Sequence, residues 1–284
     1  MSKFVFILFS LWLASGCTED LVVNDMGPKS AGEESDSDRP SADTDTGPMI
    51  CAGSGTDSSV ADAMLDFILV VDNSAGMEDE VRMLQAELPA FFLGLTQWGI
   101  DVHLTVISAP SPAEDDKIKN GICLDAPPGS GNCPNDSSLP TYLHIAQNIG
   151  SKDALTALLN TADRWNAAIR PGSQVHFMVV SDDNADVDAA SFKAALAALT
   201  PPVSAFYFHG IGASMDKNVA CDATPVHICC ETAAKAAVVY QALSEQTGGV
   251  FHDLCDQDFI GAFKEVAAFI SKSLCESGTE AQPE

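Results

Sequence analysis

Basic residues are scarce in this chain. Only 14 Lys and Arg stand against 40 Asp and Glu in 284 residues, giving a formal net charge of −26. Nucleic acid is excluded as a partner, because binding it requires clustered Lys and Arg to neutralise phosphates. Anionic lipid surfaces repel such a chain as well, so charge alone does not hold it at a membrane. Long apolar runs are also lacking: the run over residues 4–14 is interrupted at Ser10 and falls short of the roughly 20 residues that a spanning helix needs. No Gly-x-x-x-x-Gly-Lys phosphate loop is present. No Gly-x-Ser-x-Gly elbow follows a strand pattern, since Gly53-Ser54-Gly55 lies in a polar stretch, and serine hydrolase chemistry lacks its nucleophile. Cys-x-x-Cys and His-x-x-x-His pairs are absent, which argues against structural zinc.

What is present begins with Lys3, the apolar run, and the small-residue step Leu13-Ala14-Ser15-Gly16-Cys17. That is the layout of a secretory signal segment. The five residues ending at Cys17 resemble the lipobox of bacterial lipoproteins, which implies cleavage after residue 16 and an acyl group on Cys17. Thr18 is not the Asp that marks inner-membrane retention in some Gram-negative bacteria, so outer-membrane placement is the expectation. Assigning Cys17 to lipid leaves eight of the nine cysteines: Cys51, Cys123, Cys133, Cys221, Cys229, Cys230, Cys255 and Cys275. An even set in an exported chain reads as four disulfides. Cys123 and Cys133 are expected to form a local staple and Cys51 and Cys275 to tie the ends of the domain, while the pairing of the other four stays open.

Residues 17–60 hold ten acids against Lys29 and Arg39, with abundant Ser, Gly and Thr. So few apolar side chains cannot offset the entropy of ordering, and the stretch reads as a disordered, self-repelling tether. The composition changes at residue 61, and residues 61–284 form one domain. Strand patterns at 65–71, 102–107, 142–145, 175–180, 203–208 and 250–252 alternate with helical patterns at about 77–96, 152–168, 188–199, 232–247 and 258–274. Near-continuous apolar strands between amphipathic helices predict an α/β, doubly wound, mostly parallel sheet flanked by helices. Two long insertions interrupt it, 109–140 with Cys123 and Cys133, and 212–230 with three cysteines.

In open α/β sheets ligands bind beyond the carboxyl ends of the strands. After the first strand comes Asp72-Asn73-Ser74-Ala75-Gly76-Met77, and after the fourth Ser181-Asp182-Asp183-Asn184. Both loops are rich in the oxygen ligands that hard cations prefer. Phe67-Ile68-Leu69-Val70-Val71-Asp72-Asn73-Ser74 and Val179-Val180-Ser181-Asp182 resemble the first-strand and fourth-strand motifs of the von Willebrand factor type A family, in particular its bacterial lipoprotein members. The resemblance covers roughly residues 61–274. It implies a metal-ion-dependent adhesion site with Asp72, Ser74, Ser151 and Asp182 as ligands, Asp183 as an additional or alternative carboxylate, and magnesium, manganese or calcium as the ion. Gly76 stands where the family has a second hydroxyl, and a water is expected to fill that place. Gly76→Ser is then expected to strengthen binding.

Each residue also has a plainer reading. Ser151 and Ser74 could cap their helices, and Asp72 and Asp182 could satisfy loop amides. A phosphatase of the haloacid dehalogenase type would need a second Asp where Ser74 stands. The six histidines are scattered and read as packed residues. Taken together, the sequence points to a non-enzymatic, lipid-anchored module of the cell envelope that engages an extracytoplasmic protein or glycan. The rivals are a metal-independent envelope scaffold and, more remotely, a hydrolase.

Overall fold

A computed structural model describes residues 63–111, 121–214 and 233–280. The signal segment, Cys17, the tether, Cys51, Cys221, Cys229, Cys230 and most of the second insertion lie outside the described residues. Six strands form one sheet: β1 (Met64–Val71), β2 (Asp101–Ser108), β3 (Tyr142–Ala146), β4 (Gln174–Val180), β5 (Tyr207–Gly212) and β6 (Phe251–Asp253), in the order β3-β2-β1-β4-β5-β6. Every pairing is parallel, so the sheet is all-parallel rather than mostly so.

Period-2 alternation sends successive side chains of β1 to opposite faces. Leu65, Phe67, Leu69 and Val71 pack with helices α1 (Glu78–Gln97) and the C-terminal helix α6 (Phe259–Glu280) through Leu84, Leu88, Phe91, Phe263, Val266 and Ile270. Ile68 and Val70 face the other layer, which comprises α2 (Ala154–Asn160), α3 (Ala162–Trp165), α4 (Ala189–Ala197) and α5 (Val238–Thr247). Both faces are thereby covered, which explains why the strands lack polar alternation. Among the described residues no helix is long and apolar enough to cross a membrane.

Two elements depart from the pattern read in the sequence. The helix expected over 152–168 breaks at Thr161, because the Leu158 carbonyl accepts the Trp165 indole N–H at 2.8 Å and the Thr161 hydroxyl at 3.3 Å. Asp153 stands at its start, so the capping role considered for Ser151 does not arise. The fifth strand starts at Tyr207 instead of 203 and runs through two glycines. Those glycines are required by close approach: a Cβ on Gly212 would lie 2.5 Å from that of Ala237, and one on Gly210 would lie 2.9 Å from the Phe251 ring.

The first insertion carries the Cys123–Cys133 disulfide, with Cα atoms 5.9 Å apart. Cys255 and Cys275 are each disulfide-bonded as well.

Candidate functional site

The chain leaves β1 towards β2 and β3 on one side, then returns to lay β4 on the other. Strand order reverses between β1 and β4, and a doubly wound sheet opens its ligand crevice at that point. Asp72 and Ser181 are the first residues beyond these two strands. Each remains tied to the sheet, Asp72 N–H to the Val180 carbonyl at 3.0 Å and Ser181 N–H to the Ile211 carbonyl at 3.1 Å.

The Asp72 carboxylate is fully buried. Its Oδ1 accepts the Ser74 N–H at 2.8 Å, and its Oδ2 accepts the Ser181 hydroxyl at 2.8 Å. Asn73 turns away, with its side-chain oxygen 2.6 Å from the Ala109 N–H and its own N–H on the Ile149 carbonyl. These bonds hold the first loop against β2 and β3 and leave Asp72 facing β4.

Asp182 approaches from the far side of the crevice, and its carboxylate and that of Asp72 perturb each other's protonation. Its Oδ2 rests over Gly76, where a Cβ would come within 2.5 Å of it. Two buried carboxylates in contact cannot both ionise without a proton or a cation between them. Burial, then the Asp72 carboxylate and the charges of Asp183 and Glu80, push Asp182 up to about 7. Asp72 is also raised by burial, against the opposing bonds from Ser74 and Ser181.

Two polar atoms here are buried and have no hydrogen-bond partner, Ser74 Oγ and Asp182 Oδ1. Unpaired buried oxygens are costly, so their presence beside a carboxylate pair marks a place for a ligand. Ser74 precedes a short 3-10 turn, yet its hydroxyl makes no capping bond, and the plainer reading of that serine loses its basis. Ser151 reaches the site through its backbone: its carbonyl lies 3.2 Å from Ser181 Oγ. Asp183 spends Oδ1 on the Asn184 N–H at 2.7 Å and acts on the site through its charge.

The donor set suits an oxygen-ligated hard cation, with two carboxylates and the Ser74 hydroxyl that has no hydrogen-bond partner. Among the described residues no three His, Cys, Asp or Glu side chains form a group that could hold a metal by themselves, so hydroxyls and water would have to complete the shell. A Cβ at position 76 would lie 2.5 Å from Asp182 Oδ2, so the serine expected to strengthen binding would have to move that carboxylate aside.

Three contributors escaped the sequence reading. Ser181 sits at the centre of the hydrogen bonding, and its position one residue before Asp182 on a strand parallel to β1 was the available signal. Glu80, in the first turn of α1, is buried, accepts Gln257 Nε2 at 3.1 Å, and leaves Oε2 without a partner. Tyr240 on α5 is buried, and its hydroxyl pKa is raised by that burial and then by Asp72, Asp183 and Asp153.

A second constellation lies at the ends of β2 and β3. Ser108 Oγ is 3.0 Å from His144 Nε2, and His144 Nδ1 is 2.6 Å from Asp136 Oδ1. Asp136 Oδ2 also accepts the Leu124 N–H and the Tyr142 hydroxyl. Burial pushes Asp136 up, but the bonds from His144, Leu124 and Tyr142 outweigh it and hold the carboxyl below its ordinary value. The order nucleophile, base and orienting acid has the form of a hydrolase triad. However, Ser108 is wholly buried, with the Ala109 carbonyl at 2.9 Å and the Ile122 N–H at 3.4 Å from its hydroxyl. This network docks the stapled insertion onto the sheet edge.

No protein-family model matches the chain, and no curated protein matches it. The resemblance to von Willebrand factor type A domains therefore rests on the motif residues and their arrangement.

Proposed function

We propose that the chain is a lipid-anchored binding module of the cell envelope, of the von Willebrand factor type A kind, that uses a divalent cation to engage an extracytoplasmic protein or glycan. The observation that carries this reading is the Asp72–Asp182 carboxylate pair at the strand-order switch, flanked by the unpartnered Ser74 Oγ and Asp182 Oδ1. Asp72, Ser74 and Asp182 would hold magnesium, manganese or calcium, with Ser151 beside them. When bound, such an ion offers an open coordination position to an oxygen of a partner. Asp72 and Asp182 supply the charge that retains it, and Ser181 and the Ser74 N–H keep Asp72 oriented. The lipid on Cys17 would fix the module to a membrane, and the acidic stretch 17–60 would space it from the surface.

Calorimetric titration of the full chain with magnesium, manganese and calcium tests the cation. A pull-down from envelope extracts with and without chelator tests the partner. We expect binding of at least one ion at millimolar concentration or below and a partner lost on chelation. No binding of any of the three ions, together with partner capture indifferent to chelator, overturns the reading in favour of a metal-independent scaffold.

A further inference from the structure

The residue at position 76 is the one departure of the first loop from a full set of hydroxyls, and the space above it is taken by Asp182 Oδ2. A hydroxyl on the Asp72 carboxylate comes instead from Ser181, just beyond β4, at 2.8 Å. We propose that Ser181, acting through Asp72, is the positioning hydroxyl of the cation site, and that Gly76 is the residue that lets Asp182 close onto Asp72. The inference rests on the cation reading and specifies how this chain builds the site without a hydroxyl at position 76.

Ser181 is wholly buried, and its backbone N–H is already satisfied by Ile211. Its hydroxyl is therefore not needed to complete the strand. It donates to Asp72 Oδ2, 109 residues away in sequence, accepts the Asp183 N–H at 3.3 Å, and lies against the Ser151 carbonyl. A single oxygen thus joins β1, β4 and the loop before α2. With Oδ1 on the Ser74 N–H and Oδ2 on Ser181, the Asp72 carboxylate has both oxygens fixed and its rotation is stopped. A carboxylate already fixed loses less freedom on taking up a cation. Gly76 contributes by omission. A Cβ there would lie 2.5 Å from Asp182 Oδ2, whereas glycine leaves that place to the carboxylate.

The test is calorimetric titration of the full chain with magnesium, manganese and calcium, alongside thermal melting in chelator, for wild type, Ser181→Ala, Ser181→Thr, Gly76→Ser and Gly76→Ala. Ser181→Ala should lose about tenfold or more in affinity for each ion that wild type binds, the loss typical of a hydrogen bond to a charged group. Ser181→Thr, which keeps the hydroxyl, should recover most of it. Both Gly76 variants should bind more weakly than wild type while melting near the wild-type temperature, since this glycine has no positive φ. Wild-type affinity in Ser181→Ala overturns the assignment, as does tighter binding by Gly76→Ser. If Ser181→Ala fails to fold, the Gly76 variants decide the matter: equal or tighter binding by both refutes the proposal. Failure of wild type to bind any ion removes the cation reading and this inference together, whereas binding by wild type with unaltered variants removes this inference alone.

Discussion

His176 Nδ1 lies 2.9 Å from His209 Nε2, and both rings are fully buried between the sheet and α6. The proton order follows from the ends of the chain of bonds. The Val250 N–H donates to His209 Nδ1 at 3.0 Å, so that nitrogen is bare and the His209 proton sits on Nε2, directed at His176 Nδ1. The His176 proton is then on Nε2, 3.0 Å from Gln174 Oε1. Neither ring has room for a second proton. Burial holds His209 down to about 3, and burial with the His209 charge keeps His176 well below its ordinary value. Both folded values lie below the unfolded value of ~6.5, so the stability of the neutral pair is complete above that pH and is lost as pH falls through the range beneath it. The loss is about 1.4 kcal/mol per pH unit for each histidine. Urea denaturation at pH 7, 6 and 5 should show it, and His209→Gln should flatten the slope. An unaltered slope in that variant would contradict the assignment.

Asp182 works in the opposite direction. Its folded value of about 7 exceeds the unfolded value of ~3.9, so its contribution is present in acid and is lost as pH rises through 7. Asp182→Asn should therefore stabilise the cation-free protein at pH 8, by roughly 1–2 kcal/mol once solvent screening is discounted, and change little at pH 4. The same substitution should abolish cation binding. Denaturation in chelator at the two pH values checks the first claim, and a variant less stable than wild type at pH 8 would refute it.

The sheet was legible because its strands are apolar on both faces, and the candidate residues Asp72 and Asp182 stood out because they lie within two residues of the ends of two of those strands. What escaped was contact between segments far apart in sequence. His176 and His209 read as isolated residues, since nothing in either strand announces that β4 and β5 stand side by side. Ser181 read as a loop residue because its partner carboxylate is on β1. The fifth strand was expected to end at 208, short of Gly210 and Gly212, because glycine is unfavourable in a strand unless a neighbour presses on it, and Phe251 and Ala237 become neighbours only after folding.

At the amino edge of the sheet, opposite the candidate site, the Arg170 guanidinium closes the β1–β2 seam. Its Nε lies 2.9 Å from the buried Asp66 Oδ1, and its two terminal nitrogens reach the Asp101 carboxylate at 2.6 Å and the carbonyls of Leu65 and Asp101. The Arg170 N–H and the Ser173 hydroxyl complete the coverage of Asp66. Arg170→Ala leaves a buried carboxylate without its counter-charge, a change that costs about 3–5 kcal/mol. Equilibrium unfolding should register a loss of that order with cation affinity unchanged. A loss below about 1 kcal/mol would mean that water replaces the guanidinium.

Cysteine accounting gives the last prediction, which joins the structure to export. The Cys123–Cys133 bond encloses a short loop with a sequence separation of 10, and removing it as Cys123→Ser/Cys133→Ser should cost about 2.5 kcal/mol in chain entropy of the unfolded state. Cys255 and Cys275 are each disulfide-bonded. With nine cysteines in the chain, at least one stays out of any set of pairwise bonds within it, the place that the proposed lipid carrier Cys17 would take. Non-reducing peptide mapping should therefore recover Cys123 with Cys133, and should find Cys255 and Cys275 in two separate bridges drawn from Cys51, Cys221, Cys229 and Cys230. Intact mass of the membrane fraction should show an N-terminal, acylated Cys17, and Cys17→Ser should release the protein from membranes or block its processing. Recovery of Cys17 in a disulfide, or as an unmodified thiol in wild-type membranes, would remove the anchor and with it the envelope placement on which the proposed function depends.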